Sequence, residues 1–91
     1  MAFVMRFTPQ GLNAAKYDEV IRRLEEAGAG TPAGRLYLVC FGDKENLSVS
    51  EIWDSMENFE KFGQTLMPIL QGLGINPGKP EIIEVHNIIK G

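Results

Sequence analysis

The apolar residues of this chain fall into six runs whose period changes in a set order: strand, helix, strand, strand, helix, strand. In residues 2–8, Phe3, Met5 and Phe7 point to one side while Val4 and Arg6 point to the other, as a strand requires. Pro9-Gln10-Gly11 ends that run. Asn13 is placed to cap a helix reaching about residue 27, with Tyr17, Val20, Ile21 and Leu24 on one face. Asp18 with Arg22, and Arg22 with Glu26, stand four apart on its wet face. Gly28 suits a left-handed helix end, and a loop follows to Gly34. Residues 35–41 and 47–54 read as strands joined by the polar loop 42–46. Ser55 caps a second helix, with Glu57 in its first turn and a stripe of Phe59, Phe62, Leu66, Ile69 and Leu73. Pro68 lacks an amide donor, which predicts a kink or a restart, and Gly72 and Gly74 end the helix. After the turn 76–80, residues 81–89 read as the last strand.

Six elements fill the 91 residues with almost nothing left over. Their order predicts a ferredoxin-like α+β sandwich, βαββαβ, with an antiparallel four-stranded sheet and two helices on one face. Residues 1–91 form a single domain with no repeat or linker. A chain of this length buries only about 60–65% of its unfolded surface, so its core is thin.

A sheet covered by helices on one face alternates to polar residues on the other. This one does not. Leu36, Leu38 and Cys40 are expected on one face of the second strand, and Tyr37, Val39 and Phe41 on the other. In the last strand Ile83, Val85 and Ile89 are opposed by Ile82 and Ile88. A sheet apolar on both sides needs two covers. The helices supply one, and a second copy of the chain is the simplest other, so the sequence predicts a two-fold homodimer pairing as an α/β barrel. The alternative is a monomer with a functional apolar patch.

The net charge is −3 and the nine Lys and Arg are scattered, which argues against a nucleic-acid partner. Cys40 is alone, so there is no intrachain disulfide and no cysteine metal site. His86 is the one histidine, and no His-x-x-x-His spacing exists, so no metal is expected. No apolar run approaches the roughly 20 residues of a membrane span, and the first residues lack the pattern of a signal peptide. The expectation is a cytoplasmic protein with no membrane partner.

The element order, the passage Glu51-Ile52-Trp53-Asp54-Ser55 running into a Phe-bearing helix, and the closing Val85-His86-Asn87 resemble the dimeric α/β-barrel superfamily. The branch it is most similar to comprises small proteins related to antibiotic biosynthesis monooxygenases, many of them uncharacterised. The resemblance covers nearly the whole chain. It implies two sheets paired into a barrel with the helices outside. Some members oxidise aromatic substrates with no metal or flavin; others degrade haem, isomerise or dechlorinate small rings, or have no known activity. Relatives in this branch often carry a His in the second strand where this chain has Leu38, which weakens a transfer of catalysis.

Three residues are candidates for chemistry. Glu51 shares a strand face with Leu47, Val49 and Trp53, where a desolvated carboxyl suits a general base or a hydrogen-bond donor. Its structural alternative is a strand-end ion pair with Arg6, Arg35 or a Lys. His86 suits a base or a haem or metal ligand, against a plain surface or interface role. Asn87 suits the orientation of a ligand carbonyl, against a hydrogen bond across a dimer. Trp53, Tyr37, Tyr17, Phe59 and Phe62 are candidates to line a pocket for a small apolar or aromatic ligand, against simple core packing. Cys40 sits among apolar neighbours and is not a nucleophile candidate.

Two functions follow. One is a small-molecule-binding barrel, in its sharper form a cofactor-free oxygenase acting on a phenolic or polycyclic compound. The other is a non-catalytic dimeric module, stress-related or regulatory, with no internal cavity beyond a water or two. Haem handling is a third and weaker reading, and it requires His86 to face a cleft.

Overall fold

The computed structural model describes residues 1–91, and its helices start where the chain's own capping groups put them. The Asn13 side chain accepts from the Lys16 amide at 2.8 Å and opens α1 (Ala14–Glu26). The Ser55 hydroxyl accepts from the Asn58 amide at 3.2 Å and opens α2 (Met56–Gly72), with Glu57 in its first turn. Of the kink or restart expected at Pro68, the restart does not occur: α2 continues through it as one element. Gly28 takes the left-handed conformation that closes the first helix, φ 75°. On the wet face of α1 Arg22 pairs with Glu26 as its spacing predicts, and with Glu19 rather than Asp18.

The strands are β1 (Phe3–Phe7), β2 (Arg35–Asp43), β3 (Asn46–Trp53) and β4 (Glu81–Glu84). They form one antiparallel sheet in the order β2-β3-β1-β4, which is the ferredoxin-like α+β plan expected from the sequence. In register, Met5 faces Glu51, Phe3 faces Trp53 and Leu38 faces Glu51. These inward residues meet Val20 and Leu24 of α1 and Phe62 and Leu70 of α2 in one core. Met5 and Trp53 are its fully buried members. Only ten of 91 residues are buried, so the core is as thin as the length implies.

Two local readings are corrected. A bulge between Arg35 and Tyr37 inserts one extra residue into β2. Leu36 therefore leaves the face of Leu38 and Cys40 and stands exposed beside Tyr37. The last strand is also shorter than 81–89. Its ladder pairs only Phe3–Arg6 with Glu81–Glu84, and the Val85 amide makes one further bond to Ala2 O at 2.9 Å. β4 is an edge strand whose only neighbour, β1, begins at Phe3. Residues 86–91 have no ladder left to join.

The other face of the sheet carries Val4, Ile52, Tyr37, Val39, Phe41 and Ile83, and no helix covers it. Tyr37, Phe41 and Ile83 are about half exposed there. No helix is long and apolar enough to cross a membrane.

Candidate functional site

Strand alternation puts the Glu51 carboxyl inside. Val49, Glu51 and Trp53 lie on the inward face of β3, and the helices that bury Trp53 bury Glu51 with it. Glu51 is 5% exposed and is the one buried charged residue. Its Oε2 accepts a hydrogen bond from Trp53 Nε1 at 3.1 Å. It forms no ion pair, so the expected alternative of a strand-end bridge to Arg6, Arg35 or a Lys is not what holds it. Burial pushes its pKa up; the indole hydrogen bond and the Arg35 charge pull the other way.

A cavity of about 80 Å3 opens beside this carboxyl, between the sheet and both helices. Leu38 and Val49 line it from the sheet, Val20 and Ile21 from α1, and Phe62 and Leu66 from α2. Its floor is made of loops. Gln10 and Asn76 exchange backbone hydrogen bonds at 2.8 and 3.0 Å, which holds the segment of Pro9 and Leu12 against that of Ile75 and Pro77. By a comparable measure one water needs roughly 10–15 Å3, so the space exceeds a water or two. It also falls short of the few hundred Å3 of a drug-sized site, which restricts it to small occupants.

Three polar groups break the apolar wall: Glu51, Arg35 and Tyr17. Arg35 Nη2 donates to Gly30 O at 3.0 Å, and its guanidinium carbon lies 5.7 Å from the centre of the Phe62 ring. This carbonyl and this ring hold the cation in place, and no carboxylate pairs with it. The Tyr17 hydroxyl has its pKa raised by burial and then by the charge of Cys40, with Arg35 opposing and Asp18 and Glu51 adding to the rise. It stays a protonated donor. Burial likewise pushes the Cys40 thiol up, which suits its reading as an inert strand residue.

The residues singled out in the sequence divide into three places. Glu51 and Phe62 face the cavity. Trp53 and Phe59 lie behind it in the core, ring centres 5.7 Å apart and edge to face at 69°. Trp53 reaches the site through its hydrogen bond to Glu51. Tyr37, His86 and Asn87 lie on the opposite, open face, along a groove with Val4, Leu36 and Ile52. His86 and Asn87 are exposed and stand beyond the end of β4, so the structure does not bring them to Glu51. The sequence offers Arg35 only as an ion-pair partner of Glu51 and Tyr17 only as an aromatic that could line a pocket; the structure places both on the cavity wall, with no ion pair to Glu51. No local pattern marks them as polar members of one site: the β2–β3 pairing sets Arg35 opposite Trp53, and the packing of α1 on the sheet brings in Tyr17.

Neither a family model nor a curated protein matches the sequence. Solved structures do match the fold. SnoaB, a cofactor-independent oxygenase from Streptomyces nogalater, is 16% identical with a TM-score of 0.63, covering 99% of this chain and 96% of its own. An antibiotic biosynthesis monooxygenase-like protein from Chloroflexus aurantiacus J-10-fl is 18% identical with a TM-score of 0.65, and the match covers all of both chains. A similar protein from Deinococcus radiodurans is 15% identical with a TM-score of 0.61, covering 99% and 97%. At these identities the likeness is one of fold, and in fold the chain stands with the ferredoxin-like, antibiotic biosynthesis monooxygenase-like proteins.

Proposed function

We propose that the chain is a cytoplasmic homodimer that binds a small aromatic molecule beside Glu51 and oxidises it with molecular oxygen, without metal or flavin. The observation that carries this reading is the Glu51 carboxyl itself. It is desolvated, held by a single neutral donor and set at the wall of an otherwise apolar cavity. A carboxyl whose pKa is raised toward working pH is suited to take and return a proton. The fold adds support, because SnoaB, which shares it, is a cofactor-independent oxygenase.

The chemistry asks little of the protein. Glu51 takes the hydroxyl proton of an electron-rich phenol. The phenolate reduces oxygen, a carbon–oxygen bond forms at the ring, and loss of water from the resulting hydroperoxide leaves a quinone. One phenol and one oxygen molecule thus become one quinone and one water, with the substrate as the only electron donor. The cavity supplies dryness and orientation.

Support for the homodimer comes from the uncovered face of Val4, Val39, Tyr37, Phe41, Ile52 and Ile83. Stable partners bury about 800 Å2 each, and apolar area contributes roughly 25 cal/mol per Å2 before association costs. Leaving such a face in water would forgo that stabilisation.

The test is oxygen uptake with single-ring phenols and hydroquinones. Glu51→Gln, which retains an acceptor for the indole, is expected to lose turnover while remaining a folded dimer. Unchanged turnover removes Glu51 from the mechanism. The second reading, a non-catalytic dimeric module, is favoured by Leu38: it faces Glu51 in register and leaves that position aliphatic. It predicts no uptake with any such phenol.

A further inference from the structure

We propose that Arg35 is the group that selects the ligand, and that the ligand is a single-ring molecule bearing one weakly acidic hydroxyl, a phenol or enol, whose anion Arg35 holds once Glu51 has taken its proton. This rests on the reading of the cavity as a ligand site.

The argument begins with an unpaired cation. Arg35 lines the cavity, and every ion pair in the chain is made by other residues: Arg22 and Arg23 with Glu19, Arg22 with Glu26, Lys61 with Glu57. A guanidinium offers five donors in a planar fork, and here a single hydrogen bond, to Gly30 O, is made. The remaining donors have no protein acceptor.

The position of Arg35 is nevertheless defined from several sides. Its guanidinium lies over the Phe62 ring. The preceding residue, Gly34, has φ +89°, and a Cβ there would meet Asp54 Oδ1 and Asn58 Nδ2 at 2.5 Å. Gly34 O also accepts from the Asp54 amide at 2.8 Å. The backbone that launches Arg35 is thus clamped to the β3–α2 junction.

The second half of the site is Glu51. Its Oε2 is engaged by the indole, while Oε1 accepts no hydrogen bond from the protein. No polar side-chain atom is buried without a partner, so Oε1 is not sealed away from the cavity. A carboxyl with one free oxygen and a guanidinium with free donors thus share one small apolar space.

Charge then sets the ligand class. With Glu51 ionised the pair of groups is neutral. A ligand that arrives as a carboxylate meets the Glu51 charge, and an amine meets Arg35. A wholly apolar ring leaves the donors of Arg35 unmatched at the cavity wall, which costs affinity. A neutral weak acid meets neither penalty. When its O–H breaks, the proton goes to Glu51 Oε1 and the electron pair stays on the ligand oxygen. The negative charge moves from a carboxyl that burial disfavours to an oxygen beside Arg35, and the net charge of the site does not change. The one other titratable group on the cavity wall is Tyr17 of α1; Asp18 of α1, which is exposed, and Cys40 of β2 lie near Tyr17 but do not line the cavity. α2 contributes Phe62 and Leu66, which are apolar. Tyr17, half-buried and lining the same cavity, offers a second donor to the anion.

The experiment uses two nearly isosteric probes, 4-nitrophenol and its methyl ether 4-nitroanisole, titrated into the purified protein. Trp53 fluorescence reports binding, and the absorbance band of the nitrophenolate reports ionisation. Wild type is expected to bind 4-nitrophenol as the anion and roughly ten- to hundredfold more tightly than the ether, the ratio of a charge-assisted hydrogen bond. Arg35→Met should cut that preference at least several-fold, with the ether bound as tightly as by wild type or more tightly, because the unmatched donors are gone. Arg35→Lys, which keeps the charge, should retain part of it, and circular dichroism checks the fold of both. Should Arg35→Met fail to fold, the two-probe ratio in wild type and in Arg35→Lys decides. Equal affinity of wild type for both probes, or an undiminished preference in Arg35→Met, overturns the role of Arg35 and leaves the apolar cavity standing. Binding of neither probe overturns the cavity reading itself.

Discussion

The indole nitrogen of Trp53 donates to Glu51 Oε2 at 3.1 Å, from two positions along the same strand face. The hydrogen bond ties the largest fully buried side chain to the one buried charge. The core thus positions the site, and disturbing either residue is expected to be felt by the other.

The burial of Glu51 sets a slope of stability with pH. Its folded pKa lies above the ordinary carboxylate value, so the folded state binds more protons between the two. Stability from this residue therefore falls as pH rises through that window, and is greatest below it. Glu51→Gln should flatten the slope in urea melts followed from weakly acidic to neutral pH. Glu19 acts with the opposite sign. Arg22 and Arg23 hold it down to about 2, so its contribution is present above the ordinary value and lost as pH falls toward 2. That pairing is solvent-accessible and should weaken with added salt, whereas the Glu51 slope should not.

Trp53→Phe removes the donor and leaves a smaller ring in a fully buried place. The expected loss is about 2–4 kcal/mol from the unsatisfied carboxyl and the space left behind. It should also raise the pKa of Glu51 further, because the hydrogen bond that favours the charged form is gone. Chemical denaturation together with a carbon-labelled Glu titration checks both; a Glu51 pKa that falls or stays fixed would contradict the account.

Gly34→Ala is expected to be costly although the residue lies in a loop. The left-handed backbone and the 2.5 Å approach to Asp54 and Asn58 act together. The cost is about 1–3 kcal/mol, and at roughly 4–8 °C per kcal/mol for a domain of this size the melting temperature should drop visibly. Gly28→Ala is the comparison, since its Cβ would meet nothing within 4 Å and only the backbone term remains.

The open sheet face predicts assembly. Tyr37→Glu or Phe41→Lys places a charge on a surface proposed to be covered by a second copy. Native mass spectrometry should give twice 10.1 kDa for wild type and 10.1 kDa for each variant. A wild-type protein that is monomeric at micromolar concentration would remove the homodimer.

The order of elements was legible because each apolar run has the period of its own structure. Two features were not, and both are matters of pairing. The bulge at Leu36 reverses a side chain by inserting one residue, which strict alternation across 35–41 conceals. The isoleucines of 82–89 continue a strand-like pattern past the point where β1 has ended, and periodicity within one segment carries no information on the length of its neighbour. The site shows the same division. Glu51 was readable, because a carboxylate among inward apolar residues stands out on its own strand. Arg35 was readable only as one of several cations that could pair with Glu51, since the β2–β3 pairing selects it, and the Tyr17 hydroxyl was not readable, since its place is set by how α1 packs on the sheet.

The most direct test of the site uses the single tryptophan. In nitrogen-labelled protein Trp53 gives one indole N–H resonance, and that proton is bonded to Glu51. Titration with 4-nitrophenol should move this resonance together with the amides of Leu38, Val49 and Leu66 around the cavity. If the indole stays still while Val4, Tyr37 and His86 shift, the ligand lies on the open face and the assignment of the site to the Glu51 cavity is contradicted.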